Sequence, residues 1–228
     1  MENRSVKFLI GFLIAAVLAA GLFFVLQTND PATPKELAPV EVREYEGKNL
    51  SSVEDFRENS IKGPQHIDRK DYRLKISGLS SGEKFLKYDE ILENYQSYKK
   101  VVTLDCVEGW SVSILWEGIL AKDLIAKNEI PGDTNTVILR AADGYSTSFP
   151  VGYIMDKDIL LAYKMNEAEL LPERGFPFQL VAEDKWGYKW IKWITEIEFS
   201  RDSNYRGYWE SRGYSNDGDL DKNFLESK

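Results

Sequence analysis

The sequence predicts an α+β domain of mixed, β-rich architecture, preceded by one N-terminal transmembrane helix. Beyond residue 48, most apolar segments have the length of strands, and helical spacing is confined to short stretches. Near the N-terminus, an uncharged apolar run is long enough to cross a bilayer. The composition, with 43% hydrophobic and 29% charged residues, is typical of a folded globular protein.

The apolar run extends from Phe8 to Leu26 and follows Arg4 and Lys7. Positive charge on this side orients the N-terminus inwards and the rest of the chain outwards. The small residues lie within the run rather than after it, which favours an uncleaved anchor and leaves a cleaved signal as the alternative. We therefore expect residues 1–26 to anchor a single-pass protein in the cell membrane. The body is then extracytoplasmic, or secreted if the segment is cleaved.

A flexible linker is predicted over residues 27–48, where Pro31, Pro34 and Pro39 interrupt regular structure. Residues 49–228 form the predicted domain. The formal net charge of the chain is −8. Because the phosphates of nucleic acids attract basic surfaces, this acidic chain is a poor partner for nucleic acid.

The elements of the domain follow from local patterns. Residues 71–77 alternate polar and apolar side chains and stop at Gly78, as a half-buried strand does. Residues 87–95 have apolar side chains at helical spacing, and residues 101–107 form a mostly apolar run that is typical of a buried strand. The remaining predicted elements are strands at 112–116, 134–142, 145–151, 176–183 and 192–199 and a helix at 120–128.

One cysteine, Cys106, and one histidine, His66, limit the possible chemistry. A single cysteine excludes an internal disulfide, a cysteine-based iron–sulfur cluster and a CxxCH haem site. A single histidine excludes a multi-histidine metal site. The sequence leaves open whether His66 lies near a cofactor or in a surface loop.

Cys106 stands at the end of an apolar run, in LDCVEGWSVSILWEGI. Gly109 permits a tight turn, and Trp110 can line a pocket beside the thiol. An inert buried thiol is the simplest interpretation, because Asp105 and Glu108 do not favour a free thiolate nucleophile. The acidic neighbours do not disfavour a thiolate that is bound to a metal, since the metal supplies the positive charge.

Six blocks follow one another along the domain: NSIKGPQHIDRKDYRLKISGL, LDCVEGWSVSILWEGI, ADGYSTSFPV, LLAYKMN, LPERGFPFQLVAEDKWGYKWIKWITEIEF and GYWESRGY. In their order and spacing, over roughly residues 59–214, the chain resembles the sulfite-oxidase-like, molybdopterin-dependent oxidoreductases. The resemblance implies a fold of that type. It also implies one molybdenum held by a single molybdopterin (Mo-MPT), with Cys106 as the protein's metal ligand. The implied activity is oxygen-atom transfer or two-electron redox chemistry on a small-molecule substrate.

The stretch GYKWIKW contains two lysines, Lys189 and Lys192. The resemblance implies that Lys192 binds the pterin phosphate and that Lys189 lines the same groove. In an alternating strand, residues three positions apart point to opposite faces. Both lysines can therefore face the cofactor only if residues 187–192 form a loop. An amphipathic strand with solvated lysines is the alternative.

Arg174 and Gln179 depart from the family pattern. Relatives usually have histidine or asparagine at the position of Arg174 and an arginine at the position of Gln179. We therefore expect Arg174 to replace the missing charge, with a solvated turn arginine as the alternative. Asn59 and Lys62 resemble positions near the pterin, and solvated loop residues are the alternative for both.

The residues after Cys106 bear on the substrate. Typical sulfite oxidases place arginines beside the cysteine to bind an oxyanion, whereas this chain has Glu108 and Trp110 there. A dianion would be repelled at such a site. The sequence therefore favours a neutral, sulfoxide-like or N-oxide-like substrate over sulfite, with Cys106 and Trp110 as the predicted catalytic residues.

The sequence has no haem, cluster or nucleotide-loop motif to carry electrons. An external electron-transfer partner is therefore expected, a haem protein or quinone-linked subunit of the membrane, and the anchor would raise its effective concentration. A second hypothesis is a non-catalytic extracytoplasmic binding module that keeps the fold without the metal. It depends on Gln179 in place of arginine, and the retention of Cys106 argues against it.

Overall fold

The computed structural model describes residues 41–226. The predicted membrane anchor, and the predicted linker as far as residue 40, lie outside this range. Between residues 41 and 226, no helix is both long and apolar enough to span a bilayer.

The described part of the chain contains twelve strands and three short α-helices. The strands are β1 (Glu44–Tyr45), β2 (Lys48–Asn49), β3 (Arg73–Ser77), β4 (Lys84–Lys87), β5 (Ser97–Asp105), β6 (Ser111–Leu120), β7 (Thr136–Ala141), β8 (Ser146–Pro150), β9 (Leu160–Met165), β10 (Ala168–Glu169), β11 (Gln179–Val181) and β12 (Ile194–Ser200). The α-helices are α1 (Tyr88–Asn94), α2 (Ala121–Ala126) and α3 (Val151–Asp156).

Two five-stranded sheets form the body. The first has the strand order β4-β3-β12-β7-β8, and only its β3–β12 pair is parallel. The second has the order β10-β9-β6-β5, and β11 pairs with β9 beside this path. The architecture is therefore mixed and β-rich, as the sequence predicts.

One hydrophobic cluster contains side chains from both sheets. Ile76 and Ile197 come from the first sheet and Ile114 and Leu161 from the second, and each is at most 3% exposed. Burial of an aliphatic side chain of this size stabilises the fold by about 1.5–3 kcal/mol relative to exposure. The core therefore holds the sheets rigid, and the loops at their ends are left to form the site.

The helices and strands lie close to their predicted positions, with differences that have physical reasons. The strand predicted at 101–107 begins at Ser97 and ends at Asp105, one residue before Cys106. Its burial alternates because one face packs on the core and the other is partly exposed. The stretch 187–192 contains no strand, because its first residues form a short 3₁₀ helix, Gly187–Lys189.

The folded body begins earlier than the predicted boundary at residue 49. β1 and β2 form a hairpin inside the segment predicted as linker, and the amide of Val42 donates to the carbonyl of Asn166 at 3.0 Å. The Glu41 carboxylate accepts from the hydroxyl of Ser52 and the amide of Val53, at 2.5 and 2.8 Å. These bonds hold residues 41–49 against the domain.

Candidate active site

A pocket of about 380 Å³ opens beside Cys106. This volume lies within the range of about 300–1,000 Å³ that is usual for small-molecule and cofactor sites. Its walls come from segments that are remote in the sequence: residues 56–61, 104–110, 173–179 and 187–193, Asp143, Tyr145, Trp209 and Tyr214.

Cys106 is positioned by the tight turn between β5 and β6. Its amide donates to the carbonyl of Trp110, and its carbonyl accepts from the amide of Gly109, both at 2.9 Å. Gly109 has a φ of +83°, a left-handed conformation that glycine adopts without strain. The turn places the thiol in the pocket wall, where the side-chain amide of Asn59 donates to Sγ at 3.7 Å.

The environment of the Cys106 thiol disfavours a free thiolate. Burial raises the pKa of the thiol and the Glu108 carboxylate also raises it, whereas hydrogen bonds from the Glu108 backbone and the Asn59 side chain, together with the Arg57 guanidinium, partly counteract the shift. A bound cation would reverse this balance by releasing the thiol proton. The thiol is therefore suited to metal ligation more than to nucleophilic catalysis.

At another part of the wall, Gly175 brings a lysine and an amide together. Gly175 is in the left-handed region with a φ of +97°. A Cβ at this position would lie 3.1 Å from the Lys192 side chain and 3.2 Å from Cβ of Gln179. A glycine is therefore needed for this close approach. The preceding residue, Arg174, donates to the carbonyl of Phe56 at 3.2 Å.

Arg174 and Lys192 are cations held in partly buried positions. Burial lowers the pKa of both, and neighbouring carboxylates oppose this shift. Lys192 Nζ donates to a Glu58 carboxylate oxygen at 3.0 Å and to the carbonyl of Glu173 at 3.3 Å. Because charge-assisted hydrogen bonds from Arg and Lys to phosphate are strong, these two side chains can hold a phosphate group.

Two further polar side chains face the pocket. Gln179 is 4% exposed, and its side-chain amide forms no hydrogen bond with any residue between 41 and 226. Asp143 is 2% exposed and accepts from the amide of Tyr145 at 2.9 Å. An amide and a carboxylate can together bind both donors and acceptors on the edges of a planar ring system.

The rim near the thiol is aromatic and acidic. Trp110 donates its indole N–H to the Glu108 carboxylate at 3.2 Å, and its ring packs edge-on against Phe56 with centroids 5.9 Å apart. Further round the wall, the Tyr145 hydroxyl donates to the carbonyl of Tyr188 at 2.5 Å.

The structure brings together six of the eight residues that the sequence singles out. These are Asn59, Cys106, Trp110, Arg174, Gln179 and Lys192.

Two predicted residues and His66 lie away from the lining. Lys62 is exposed and lies beside Gly144, and His66 is exposed. Lys189 is fully buried and its ammonium pairs with Glu210. Residues 187–192 form no strand, and this was the condition under which both Lys189 and Lys192 could face the cofactor. Nevertheless the loop turns Lys189 inwards and only Lys192 reaches the pocket.

Arg57 and Asp143 are among the lining residues that were not predicted from the sequence. Arg57 comes from the segment that also carries Asn59, and Asp143 from the block ADGYSTSFPV. The position of Asp143 in that block was its only signal, and Arg57, which precedes the first block, had none. Nothing local distinguishes either from a solvated charge.

Taken together, the fold and the pocket define an oxidoreductase of the molybdopterin-binding class, and residues 61–209 match the family model described as the oxidoreductase molybdopterin binding domain. The chain belongs to this family. It is a sulfite-oxidase-like, molybdopterin-dependent oxidoreductase whose cofactor is molybdenum-molybdopterin. This result favours the enzyme over the metal-free binding module that Gln179 had indicated.

Individual relatives agree with this assignment. The chain is 31% identical over 157 residues to an uncharacterized oxidoreductase, YuiH, of Bacillus subtilis, covering 68% of this chain and 78% of the relative. It is 30% identical over 151 residues to a putative protein-methionine-sulfoxide reductase subunit, YedZ1, of Azospira oryzae, covering 66% of this chain and 57% of the relative.

The fold is also similar to a solved structure, the sulfane dehydrogenase SoxCD from Paracoccus pantotrophus. The TM-score is 0.59 at 21% identity, over 68% of this chain and 43% of that chain. This likeness shows the fold alone. The chain spans little more than half of the Azospira relative and less than half of the solved chain.

The donor set of the pocket fits a pterin-bound molybdenum. Cys106 offers the one sulfur ligand that the protein needs to supply, and soft sulfur donors suit a redox-active transition metal. Arg174 and Lys192 offer cations for the phosphate, whereas Gln179 and Asp143 offer hydrogen bonds for the ring edges. The pocket is also large enough for one ligand of this kind.

Proposed function

We propose that this chain catalyses oxygen-atom transfer, or a related two-electron redox reaction, on a small neutral substrate, with a sulfoxide favoured over sulfite. In the reductive direction, a sulfoxide takes up two electrons and two protons and gives a thioether and water. The similarity to the Azospira relative, a putative protein-methionine-sulfoxide reductase subunit, supports this choice of substrate class.

The observation that carries the proposal is the charge of the pocket. Its charged lining residues are three basic side chains, Arg57, Arg174 and Lys192, and four acidic ones, Glu58, Glu108, Asp143 and Glu173. The pocket is thus slightly acidic before a phosphate-bearing cofactor adds further negative charge. A dianion such as sulfite meets repulsion there, whereas a neutral sulfoxide does not.

Different residues of the pocket would bind the metal, the phosphate of the cofactor and the substrate. Cys106 would ligate the metal, and Arg174 and Lys192 would hold the phosphate end of the cofactor. When bound, the molybdenum centre supplies the two-electron oxygen-transfer chemistry. Trp110 forms an apolar wall next to the thiol, and its bond to Glu108 fixes the orientation of that wall for an uncharged substrate.

The electrons are proposed to come from an external one-electron carrier, either a haem protein or a quinone-linked membrane subunit.

We further propose that the apolar run at residues 8–26 anchors the domain on the extracytoplasmic side of the cell membrane. Its length and the preceding Arg4 and Lys7 support this location. Fractionation of cells that produce the full chain tests the membrane anchoring, and protease treatment of intact spheroplasts tests the orientation. A full-length chain that resists protease until lysis would contradict the orientation.

A comparison of substrates tests the chemistry. The purified, molybdenum-loaded chain is assayed for sulfoxide reduction with a reduced viologen dye and for sulfite oxidation with ferricyanide. We expect kcat/KM to be higher for the sulfoxide, and we expect Cys106→Ala to abolish both reactions. A higher kcat/KM for sulfite would contradict the proposal.

Charge variants sharpen this test. Glu108→Gln should raise kcat/KM for sulfite several-fold and leave the value for the sulfoxide nearly unchanged, because the variant removes a negative charge from the rim. Glu93→Gln, on the exposed side of α1, is the control for a change of net charge away from the pocket. Equal effects of the two variants would show that the rim charge does not select the substrate.

A further inference from the structure

A fully buried ion pair lies directly behind the pocket wall. Lys189 and Glu210 are both 0% exposed, and Nζ lies 2.8 Å from a Glu210 carboxylate oxygen. Full burial of two opposite charges is rare, because each loses its hydration. Such a pair contributes little net stability, and in some proteins its role is to fix one geometry.

The pair joins three parts of the chain. Lys189 Nζ also donates to the carbonyl of Ser148, in β8, at 2.8 Å and to the carbonyl of Asn216 at 2.9 Å. The same Glu210 oxygen accepts from the hydroxyl of Thr147 at 2.5 Å. The ammonium therefore uses all three of its N–H donors: one bonds to strand β8, one to the Glu210 carboxylate and one to the C-terminal segment.

Each partner of the pair is flanked by residues that line the pocket. Tyr188 and Lys192 lie on either side of Lys189 in the sequence, and Trp209 and Tyr214 lie on either side of Glu210. A shift of the ion pair therefore moves two walls of the pocket together. Tyr188 also joins the two walls directly, because its hydroxyl donates to the carbonyl of Ser215 at 2.7 Å and its ring packs edge-on against Tyr214.

Glycines allow the C-terminal segment to pack this closely. Gly218 has a φ of +66°, and a Cβ there would lie 2.5 Å from the Lys189 side chain. A Cβ on Gly207 would lie 2.6 Å from the second Glu210 oxygen. Residues 207–218 thus pack tightly on the ion pair, and most of this segment lies beyond the family match, which ends at residue 209.

We propose that Lys189 and Glu210 are positioning residues that fasten residues 207–218 to the 187–193 loop and thereby hold the pocket in the shape that retains the cofactor. The chain segment beyond the family domain is then a working part of the cofactor site. The inference rests on the cofactor class of the family and not on the proposed substrate, so the two can fail separately.

Molybdenum content tests this role without reference to activity. The full-length chain is produced in a molybdenum-replete host, and molybdenum per chain and the melting temperature are measured on the same samples. Lys189→Met should lower molybdenum per chain to less than about half of the wild-type level, because changes in the residues around a metal site weaken metal binding by about 10- to 100-fold. The matched control is Leu124→Ala, a core truncation in α2 away from the pocket, which should lower the melting temperature and leave molybdenum near the wild-type level.

A double variant separates positioning from stability. Lys189→Met/Glu210→Leu removes the uncompensated carboxylate and fills the space with apolar groups, which commonly restores stability. Under the proposal its melting temperature recovers relative to Lys189→Met, whereas molybdenum stays low. Three outcomes would overturn the proposal: full molybdenum in Lys189→Met, joint recovery of both quantities in the double variant, or an equal loss of molybdenum in Leu124→Ala at equal loss of melting temperature.

Discussion

Replacement of Gly175 by alanine tests how the pocket is held open at Lys192. Gly175 has a φ of +97°, and a Cβ there would lie 3.1 Å from the Lys192 side chain and 3.2 Å from Cβ of Gln179. Gly82 is a matched control, because it has a φ of +93° and a Cβ there would meet no atom within 4 Å. The two variants share the backbone cost, and only Gly175→Ala crowds the site.

The expected losses of stability and of molybdenum follow from the backbone cost and from the crowding of Lys192. The left-handed conformation costs a non-glycine residue about 1–2 kcal/mol. For a body of this size, that corresponds to a loss of about 2–8 °C in melting temperature for each variant. In Gly175→Ala, Lys192 must also retreat by about a few tenths of an ångström. This moves Nζ from its bond to Glu58, and we expect molybdenum per chain to fall by about tenfold.

The assay combines thermal unfolding, followed by near-ultraviolet circular dichroism, with elemental analysis of the same preparations. Gly82→Ala should lose stability and keep its molybdenum, whereas Gly175→Ala should lose both. If the two variants have the same molybdenum content, the close approach at Gly175 does not hold the cofactor side chains in place and the reasoning fails.

Three further predictions follow from the site and the core. Cys106→Ser should abolish turnover, because an oxygen donor replaces the thiolate sulfur that tunes the metal, and part of the pterin should remain bound through the cations. Pterin fluorescence after oxidation measures the bound cofactor, and substantial activity of the variant would contradict the assigned ligand. Arg174→Ala should lower cofactor content by about tenfold if Arg174 supplies the charge that Gln179 lacks, and full cofactor in the purified variant would refute that compensation. Burial raises the pKa of Tyr72 and Tyr145 well above the ordinary value near 10, so the unfolded chain loses these protons first and stability falls as the pH rises through about 10. In an alkaline absorbance titration these tyrosines should ionise only with unfolding, and simultaneous ionisation of all twelve tyrosines in the folded protein would contradict their burial.

Much of the sheet structure could be predicted because its signals are local. Alternation in residues 71–77 and 192–199 reflects strands with one face in the core, and both lie close to the observed β3 and β12. The position of Cys106 at a turn followed from the apolar run before it and from Gly109 after it. These inferences need only the neighbours in the sequence.

The parts of the site that could not be predicted depend on distant contacts. A short 3₁₀ helix at Gly187–Lys189 turns Lys189 into the core and leaves Lys192 at the pocket, and no period in the sequence separates the two. Asp143 faces the pocket because of the loop between β7 and β8, although its neighbours in the sequence resemble an ordinary turn. For Lys189 the deciding partner is Glu210, 21 residues away in the sequence.

The parallel pairing of β3 with β12 has a consequence for biogenesis. Ile76 lies beside Ile197 in the middle of the first sheet, so this sheet cannot close while the ribosome still holds the residues around 197. The pocket also takes Trp209 and Tyr214 from still later in synthesis. A nascent chain therefore has no finished cavity until these residues have been synthesised, so the pterin can be loaded only after they have left the ribosome.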